Sequence, residues 1–162
     1  MTPELHHPLA AERIPHTGIA SRVEAKPAEL APLAARLGLH SLQVLGCDWH
    51  LIPEHAGRVR ATGRLTAAFK QDCVVTLEPF ETSLEEKFSL TFVPAGTETD
   101  DDPESEDEVP YENGVIDLGD ATTEQLALSL DPYPRKPGAE LPKTATEAEE
   151  HPFAALANRH RQ

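Results

Sequence analysis

Cys47, Asp48 and His50 combine side-chain types and spacing that could support chemistry. A thiol, a carboxylate and an imidazole this close in sequence could bind a metal ion or transfer protons. Neighbouring residues of a strand point to opposite faces, so Asp48 and His50 can share a face that Cys47 cannot easily join. We therefore favour an ordinary half-buried strand and predict no catalytic residues. Its core face would consist of Leu45, Cys47, Trp49 and Leu51.

A second stretch carries basic side chains at strand spacing. Residues 57–71 alternate between apolar and polar positions. The basic members of the polar side are Arg58, Arg60, Arg64 and Lys70. Alternate strand positions lie about 6.5–7 Å apart, close to a phosphate spacing, so these four residues are our candidate RNA contacts. The alternative is that Glu81 and Glu85 of a facing strand pair with them across the sheet.

Two alternating runs, residues 57–71 and 80–94, must position these residues. Period two over this length predicts half-buried strands, and an antiparallel hairpin is the simplest structure for them. The connector from Cys73 to Pro79 is predicted to be the turn. Proline cannot donate to a strand ladder, so Pro79 should stand at the start of the second strand.

Further elements follow from the same kind of pattern. Residues 27–37 predict a helix, because apolar residues recur at helical spacing between Pro27 and the closing glycine, Gly38. A second helix is predicted over 121–130, capped by Asp120 or Thr122. Strands are predicted over 19–25, 41–52 and 114–119. Gly46 inside one of them suggests a bulge or a close backbone approach.

These elements predict an α+β fold. It would be a mostly antiparallel sheet, which could curl toward a half-barrel, with two main helices packed on it. The length favours one folded domain, which we place at residues 17–133. Residues 1–16 are predicted to be a flexible tail, in which His6, His7 and His16 are solvated. Residues 134–162 are predicted to be a linker followed by a short docking segment around Phe153 and Leu156.

Charge is distributed unevenly along the chain. The net charge is −14, from 28 acidic and 14 basic residues. This excess of negative charge argues against a protein that binds nucleic acid over its whole surface, but it permits a local basic face. Nine of the acidic residues lie within 98–112, which we predict to be a disordered loop.

The sequence also limits compartment and chemistry. Two cysteines in unlike surroundings do not form a disulfide framework. We find no signal peptide, and no apolar run approaches the roughly 18 residues of a membrane span. A soluble, cytoplasmic protein is the expectation. No nucleophile elbow, phosphate-binding glycine loop or paired-cysteine zinc site is present, so no small-molecule substrate is inferred.

Three motifs in order carry a family resemblance. They are Cys73-Val-Val-Thr-Leu-Glu-Pro-Phe after an alternating strand, Ile116-Asp-Leu-Gly before a Leu-rich helix, and Asp131-Pro-Tyr-Pro-Arg-Lys. With the acidic loop between the first two, they resemble the YceD family. Its members are called large ribosomal RNA subunit accumulation proteins and occur in bacteria and plastids. The resemblance covers about residues 17–138, and Pro152-Phe-Ala-Ala-Leu also fits.

The resemblance implies a function and a turn motif. It implies a non-enzymatic role in accumulation of the large-subunit (23S) rRNA, and hence in assembly of the large ribosomal subunit. The family turn motif here is Cys73, Thr76, Leu77, Glu78 and Pro79. Many members have a second cysteine where this chain has Thr76. One thiolate alone cannot complete a tetrahedral zinc site, so we predict no metal and no cofactor, and Cys73 as a small apolar turn residue.

The partner is predicted to be large-subunit rRNA or a pre-ribosomal particle, contacted through the basic strand. The alternative is an acidic escort, in which residues 98–112 hold a basic ribosomal protein. The two ideas are compatible, because the acidic loop could shield the basic strand until rRNA displaces it.

Overall fold

A computed structural model of the chain describes residues 4–97 and 107–138. This part contains seven strands and two α-helices. In chain order they are β1 (Pro8–Ala10), β2 (Ile19–Glu24), α1 (Pro27–Leu37), β3 (Ser41–Pro53), β4 (Val59–Asp72), β5 (Pro79–Pro94), β6 (Glu108–Tyr111), β7 (Val115–Asp117) and α2 (Leu118–Ser129). Neither helix of the described part is long and apolar enough to cross a membrane.

Five strands form the main sheet, in the order β2-β3-β4-β5-β6. All neighbours are antiparallel except β5 and β6, which run parallel. A second, two-stranded sheet pairs β1 with β7. The prediction of an α+β fold with a mostly antiparallel sheet is confirmed, and the sheet remains open and does not close into a barrel.

The predicted hairpin is the longest unit of the sheet. Strands β4 and β5 pair in one unbroken register from Asp72 opposite Pro79 to Val59 opposite Phe92. Pro79 is the first residue of β5, as predicted, where its missing N–H costs nothing to the ladder. The unbroken register keeps the two faces of the hairpin distinct along its length.

The buried face of the sheet is organised around Trp49. Its ring meets Phe88 edge-on, with the ring centroids 5.1 Å apart, and its Nε1 donates to Thr122 Oγ1 of α2 at 3.0 Å. Gly63 makes room for this packing, because a Cβ there would fall 2.3 Å from the Phe88 ring. A glycine within a strand is thus explained by the aromatic ring that lies over it.

The predicted bounds agree with the structure for one helix but not for the other. Helix α1 has the predicted bounds, and Gly38 closes it with φ of 69° in the left-handed region. Helix α2 begins at Leu118, three residues before the predicted start. Its cap is Asp117, whose Oδ1 accepts from the N–H groups of Gly119 and Asp120 at 3.0 and 3.2 Å. The predicted strand therefore ends at Asp117.

The predicted caps of α2 have other roles. Asp120 lies in the first turn of the helix, where a carboxylate suits the helix dipole. Thr122 is fully buried, donates to the carbonyl of Leu118 at 2.7 Å and accepts from Trp49. Its hydroxyl thus satisfies the indole and does not cap the helix.

The N-terminal segment is part of the folded domain, so the predicted flexible tail is wrong for residues 4–16. Leu5 and Ile14 are buried, and β1 pairs with β7. His6 Nδ1 lies 2.5 Å from Asp117 Oδ2, so this histidine has a structural partner. The contacts join residues more than a hundred positions apart, and such long-range pairing cannot be predicted from local periodicity.

Two other predictions need correction. Residues 108–111 of the predicted disordered loop form β6. The bulge in β3 falls between Leu42 and Val44 and not at Gly46, over which the Arg22 side chain lies. Residues 98–106 and the docking candidates Phe153 and Leu156 lie outside the described residues.

Candidate nucleic-acid interface

The outer face of the main sheet carries the predicted basic residues. It consists of the side chains that alternate with the buried ones. Arg60, Arg64 and Lys70 all lie on it, because β4 has no register shift against β5. The prediction that these three share one face is confirmed.

Arg58 departs from the prediction. It precedes β4, and its side chain is only 26% exposed. Its Nη2 donates to Glu108 Oε1 at 2.8 Å, and the Glu108 side chain is 9% exposed. The Arg58–Glu108 pair therefore ties β6 to the hairpin and does not face solvent as expected. Glu108 Oε2 is buried without a hydrogen-bond partner in the described structure, so Arg58 is the identified counter-charge of this carboxylate.

Arg64 has an exposed partner. It pairs with Glu85 of β5, and both side chains are more than half exposed. Lys87 lies directly opposite Arg64 across the hairpin, and Glu85 is the next residue of β5 on the same face. The glutamate thus offsets one of the two like charges that the register places opposite each other. For Arg64, the predicted alternative of cross-strand pairing is correct.

A basic patch, defined here as Arg22, Arg60, Arg64 and Lys87, spans four strands of the outer face. The register places Arg22, Asp48, Arg64 and Lys87 in one row across the sheet. Asp48 is the acid within this group and accepts from Arg22 Nη1 at 2.8 Å. Three of the four charges in the row are therefore positive, in a chain whose net charge is −14.

The patch borders a shallow depression of about 640 Å³, and two of its four members contribute to the lining together with Asp48. Its floor includes the next row of the sheet, in which three of the four outward side chains are small. That row is Ala20, His50, Thr62 and Ser89. Arg64 and Lys87 line one side of it. Small side chains between basic ones leave room for a polyanion backbone to approach the sheet.

Lys70 lies apart from this patch. It is six residues from Arg64, roughly 20 Å along the strand, and faces Glu81 across the hairpin. Asp72 and Glu81 make its surroundings acidic.

Arg22 and Lys87 belong to the patch but were not predicted from the sequence. The register could have identified Lys87, because counting inward from Asp72 opposite Pro79 brings it opposite Arg64.

The Cys47, Asp48 and His50 group does not come together. Cys47 is fully buried on the inner face, whereas Asp48 and His50 are exposed on the outer face. Burial raises the pKa of the Cys47 thiol to about 12, which keeps it protonated at neutral pH. A protonated, enclosed thiol is neither a nucleophile nor a metal ligand.

The family turn is clamped by the segment that follows α2. Val74 N donates to Pro134 O at 2.9 Å, and Lys136 Nζ donates to Glu78 Oε2 at 3.3 Å. Residues 134–136 of the predicted linker therefore pack on the hairpin tip. The two family motifs, 73–80 and 131–136, are adjacent in the fold although no sequence periodicity links them.

The Cys73 sulfur lies at the centre of this clamp. Lys136 N donates to it at 3.3 Å and Thr76 N at 3.5 Å. The Lys136 hydrogen bond is the largest cause that lowers the pKa of this thiol, to about 7, and hydrogen bonds from Thr76 and Val75 add to it. Cys73 is fully buried, so it holds the turn together through its sulfur as well as filling space.

The turn does not fit a metal ion. Thr76 stands where many family members have a second cysteine, and its hydroxyl accepts from Glu78 N at 3.3 Å. Among the described residues, no group of three or more His, Cys, Asp or Glu side chains could hold a metal. The N–H groups around Cys73 approach the sulfur where a cation would otherwise bind.

Comparison with known proteins identifies the family. Searches of the curated proteins and of the solved structures found no match. A family model matches residues 61–158, which is more than half of the 162 residues. The match begins within β4 and includes β5, the clamped turn and α2. The chain therefore belongs to the YceD family, whose description is large ribosomal RNA subunit accumulation protein YceD.

Proposed function

We propose that this protein is a cytoplasmic, non-enzymatic factor that supports accumulation of the large-subunit (23S) rRNA and assembly of the large ribosomal subunit. The family match over residues 61–158 carries the proposal. The basic patch supplies a physical means, because it gathers positive charge on one open face of an otherwise acidic protein.

The character of the patch suggests how RNA would be bound. Among the described residues, the outward-facing rows of the depression carry no Phe, Tyr or Trp, and their one ring is the imidazole of His50, so little surface is offered for base stacking. Arginine and lysine can instead contact phosphates, and Thr62 and Ser89 can hydrogen-bond to phosphate or 2′-hydroxyl groups. We infer recognition of RNA backbone and shape, with base sequence read weakly or not at all.

The escort function is the alternative proposal. It places the contact in the acidic segment 98–112 and predicts that the basic patch is dispensable. The patch is favoured because its four basic side chains lie on one face of the main sheet.

A complementation experiment tests the proposal. Cells lacking the protein would receive the wild type or a triple variant, Arg60→Gln, Arg64→Gln and Lys87→Gln. A charge-matched control would carry Arg13→Gln, Lys26→Gln and Arg135→Gln, which lie away from the basic patch. Large-subunit rRNA would be quantified, and the protein located in gradients of ribosomal particles.

We expect the control to restore large-subunit rRNA and to co-sediment with precursor particles, and the patch variant to do neither. Normal rRNA accumulation with a folded patch variant would overturn the role of the patch. If the patch variant restores the rRNA and deletion of residues 98–112 abolishes capture of a basic ribosomal protein, the escort function would replace the proposed one.

A further inference from the structure

Strand β5 is paired along one side but mostly open along the other. It has 16 residues, all except the last two of which face β4 in the hairpin register. On its other side, β6 pairs only with Thr91–Pro94. Among the described residues, no strand covers that side of residues 79–90, so β5 forms a long open edge.

The backbone groups on this edge can be assigned. Thr91 N donates to Asp107 O at 2.9 Å, so residue 91 directs its backbone groups away from β4. These directions alternate along a strand, and the hairpin has no register shift. The residues that point both N–H and C=O outward at the open edge are therefore Glu81, Ser83, Glu85, Lys87 and Ser89. They span roughly 27 Å of strand.

The opposite edge of the sheet is better protected. Strand β2 has only six residues, and the side chain of His7 contacts Ser21 Oγ at 3.2 Å. Short or covered edges are the usual defence against pairing with another chain. The open part of β5 has no internal proline and no bulge, so its geometry favours the addition of a strand.

The side chains along the open edge define what could pair there. On the outer face the charged side chains along the edge are Glu81 and Glu85 toward the turn and Lys87 beyond them. On the inner face Phe80, Leu84 and Phe88 are only half-buried, and Leu84 and Phe88 border the core. An added strand would cover these apolar side chains with one face and meet the glutamates with the other. Its own side chains should thus alternate between apolar and basic.

We propose that the open edge of β5 binds an extended segment of a partner protein in which apolar and basic residues alternate. The segment would add a sixth strand beside β5 through the outward backbone groups of residues 81–89. This interaction does not depend on RNA binding by the basic patch. A second copy of the chain fits less well, because its own edge carries Glu81 and Glu85 where the proposed segment would carry basic residues.

The test uses the full chain and a synthetic probe. The probe is a peptide of alternating lysine and valine, and its control has the same charge with proline replacing every second valine. Binding would be measured by fluorescence anisotropy, and amide protection at residues 81–89 by hydrogen exchange. The key variant is Ser83→Pro, which removes an N–H of the open edge and leaves pairing with β4 intact. Its matched control, Ser83→Ala, keeps the N–H.

We expect the lysine–valine peptide to bind the wild type and Ser83→Ala equally, and Ser83→Pro at least tenfold more weakly. The amides of residues 81, 83, 85, 87 and 89 should become protected on binding. If Ser83→Pro fails to fold, Ser89→Pro serves the same purpose at the other end of the edge.

Three results would overturn the proposal. One is equal binding of both peptides, or binding without protection of the edge amides. Another is a dimer in which those amides are already protected and which Ser83→Pro dissociates, since the occupant would then be a second copy. The third is protection of the amides of Glu81 and Ser83, which lie outside the basic patch, by an RNA oligonucleotide in place of the peptide.

Discussion

The two ends of the β4–β5 hairpin use arginine–glutamate pairs for different purposes. At the end away from the turn, which β6 covers (the closed end), Arg58 pairs with Glu108, and the outward residues Thr91 and Val93 are buried. At the end near the turn, which β6 does not reach (the open end), Arg64 pairs with Glu85 in solvent. A short parallel strand causes the difference, because β6 covers one end of the hairpin and leaves the rest exposed.

Alternation along a strand assigns a residue to a face but does not say which part of that face is covered. Loss of one partner from a buried ion pair leaves an uncompensated charge and costs about 3–5 kcal/mol. An exposed pair contributes only about 0–1 kcal/mol. Arg58 is therefore a structural residue, and Arg64 remains available as a binding residue.

The largest expected effect is the loss of Arg58. We expect Arg58→Gln to lower the free energy of unfolding by about 3 kcal/mol, the lower end of the range for buried pairs, because Glu108 would lose its counter-charge while Arg58 is itself partly exposed. Arg64→Gln, the matched control at the open end, should change it by less than about 1 kcal/mol. Urea denaturation at neutral pH measures both. Equal changes for the two variants would remove the distinction between the ends.

A smaller effect is expected in the middle of the hairpin. Gly63→Ala would place a Cβ 2.3 Å from the Phe88 ring and force it from Trp49, which should cost about 1–3 kcal/mol. Gly46→Ala is the control on the neighbouring strand, where the nearest atom is the Arg22 Nη2, 3.2 Å away on a flexible side chain. Thermal unfolding should separate the two variants. A harmless Gly63→Ala would show that the aromatic packing is looser than described.

Cys73, in the turn of the hairpin, should make the free energy of unfolding depend on pH. The pKa of Cys73 falls from its ordinary value of 9.0 to about 7 in the folded protein, chiefly through Lys136 N–H. A lowered pKa means that the thiolate stabilises the fold fully above about pH 9, and that this contribution is lost as the pH falls through 7. The free energy of unfolding should therefore rise between pH 7 and 9 more steeply for the wild type than for Cys73→Ala. Parallel pH profiles would show that the clamp does not hold a thiolate.

The smallest expected effect is that of metal removal. We predict that the purified, untagged protein holds no stoichiometric zinc and that a chelator leaves its melting temperature unchanged, because Cys73 has no second cysteine beside it. Elemental analysis provides the measurement. One zinc per chain, lost on Cys73→Ala, would contradict the prediction and our description of the turn.

The sequence was sufficient wherever the determinants are local. The hairpin, its turn and the bounds of α1 follow from period two, from Pro79 and from the Pro27–Gly38 pair. Long-range contacts were not predictable in this way. Leu5, the pairing of β1 with β7 and the burial of Arg58 all depend on residues far away in the chain.

The same limit applied to the candidate site. Strand alternation placed Arg60 and Arg64 on one face correctly. It could not exclude Arg58, because Glu108 lies fifty residues away inside a run that composition marks as solvated. Nor could it include Arg22, whose place in the patch depends on how β2 pairs with β3.

The salt dependence of RNA binding shows whether the basic patch is the RNA-binding surface. Binding to a fragment of large-subunit rRNA would be titrated at increasing salt for the wild type and for the Arg60→Gln, Arg64→Gln, Lys87→Gln variant. Each lost phosphate contact should flatten the log–log slope by about 0.9 on duplex RNA or about 0.7 on a single strand. We predict weaker binding and a slope shallower by about 2–3 for the variant. An unchanged slope and affinity in a folded variant would contradict the assignment of the basic patch as the RNA-binding surface.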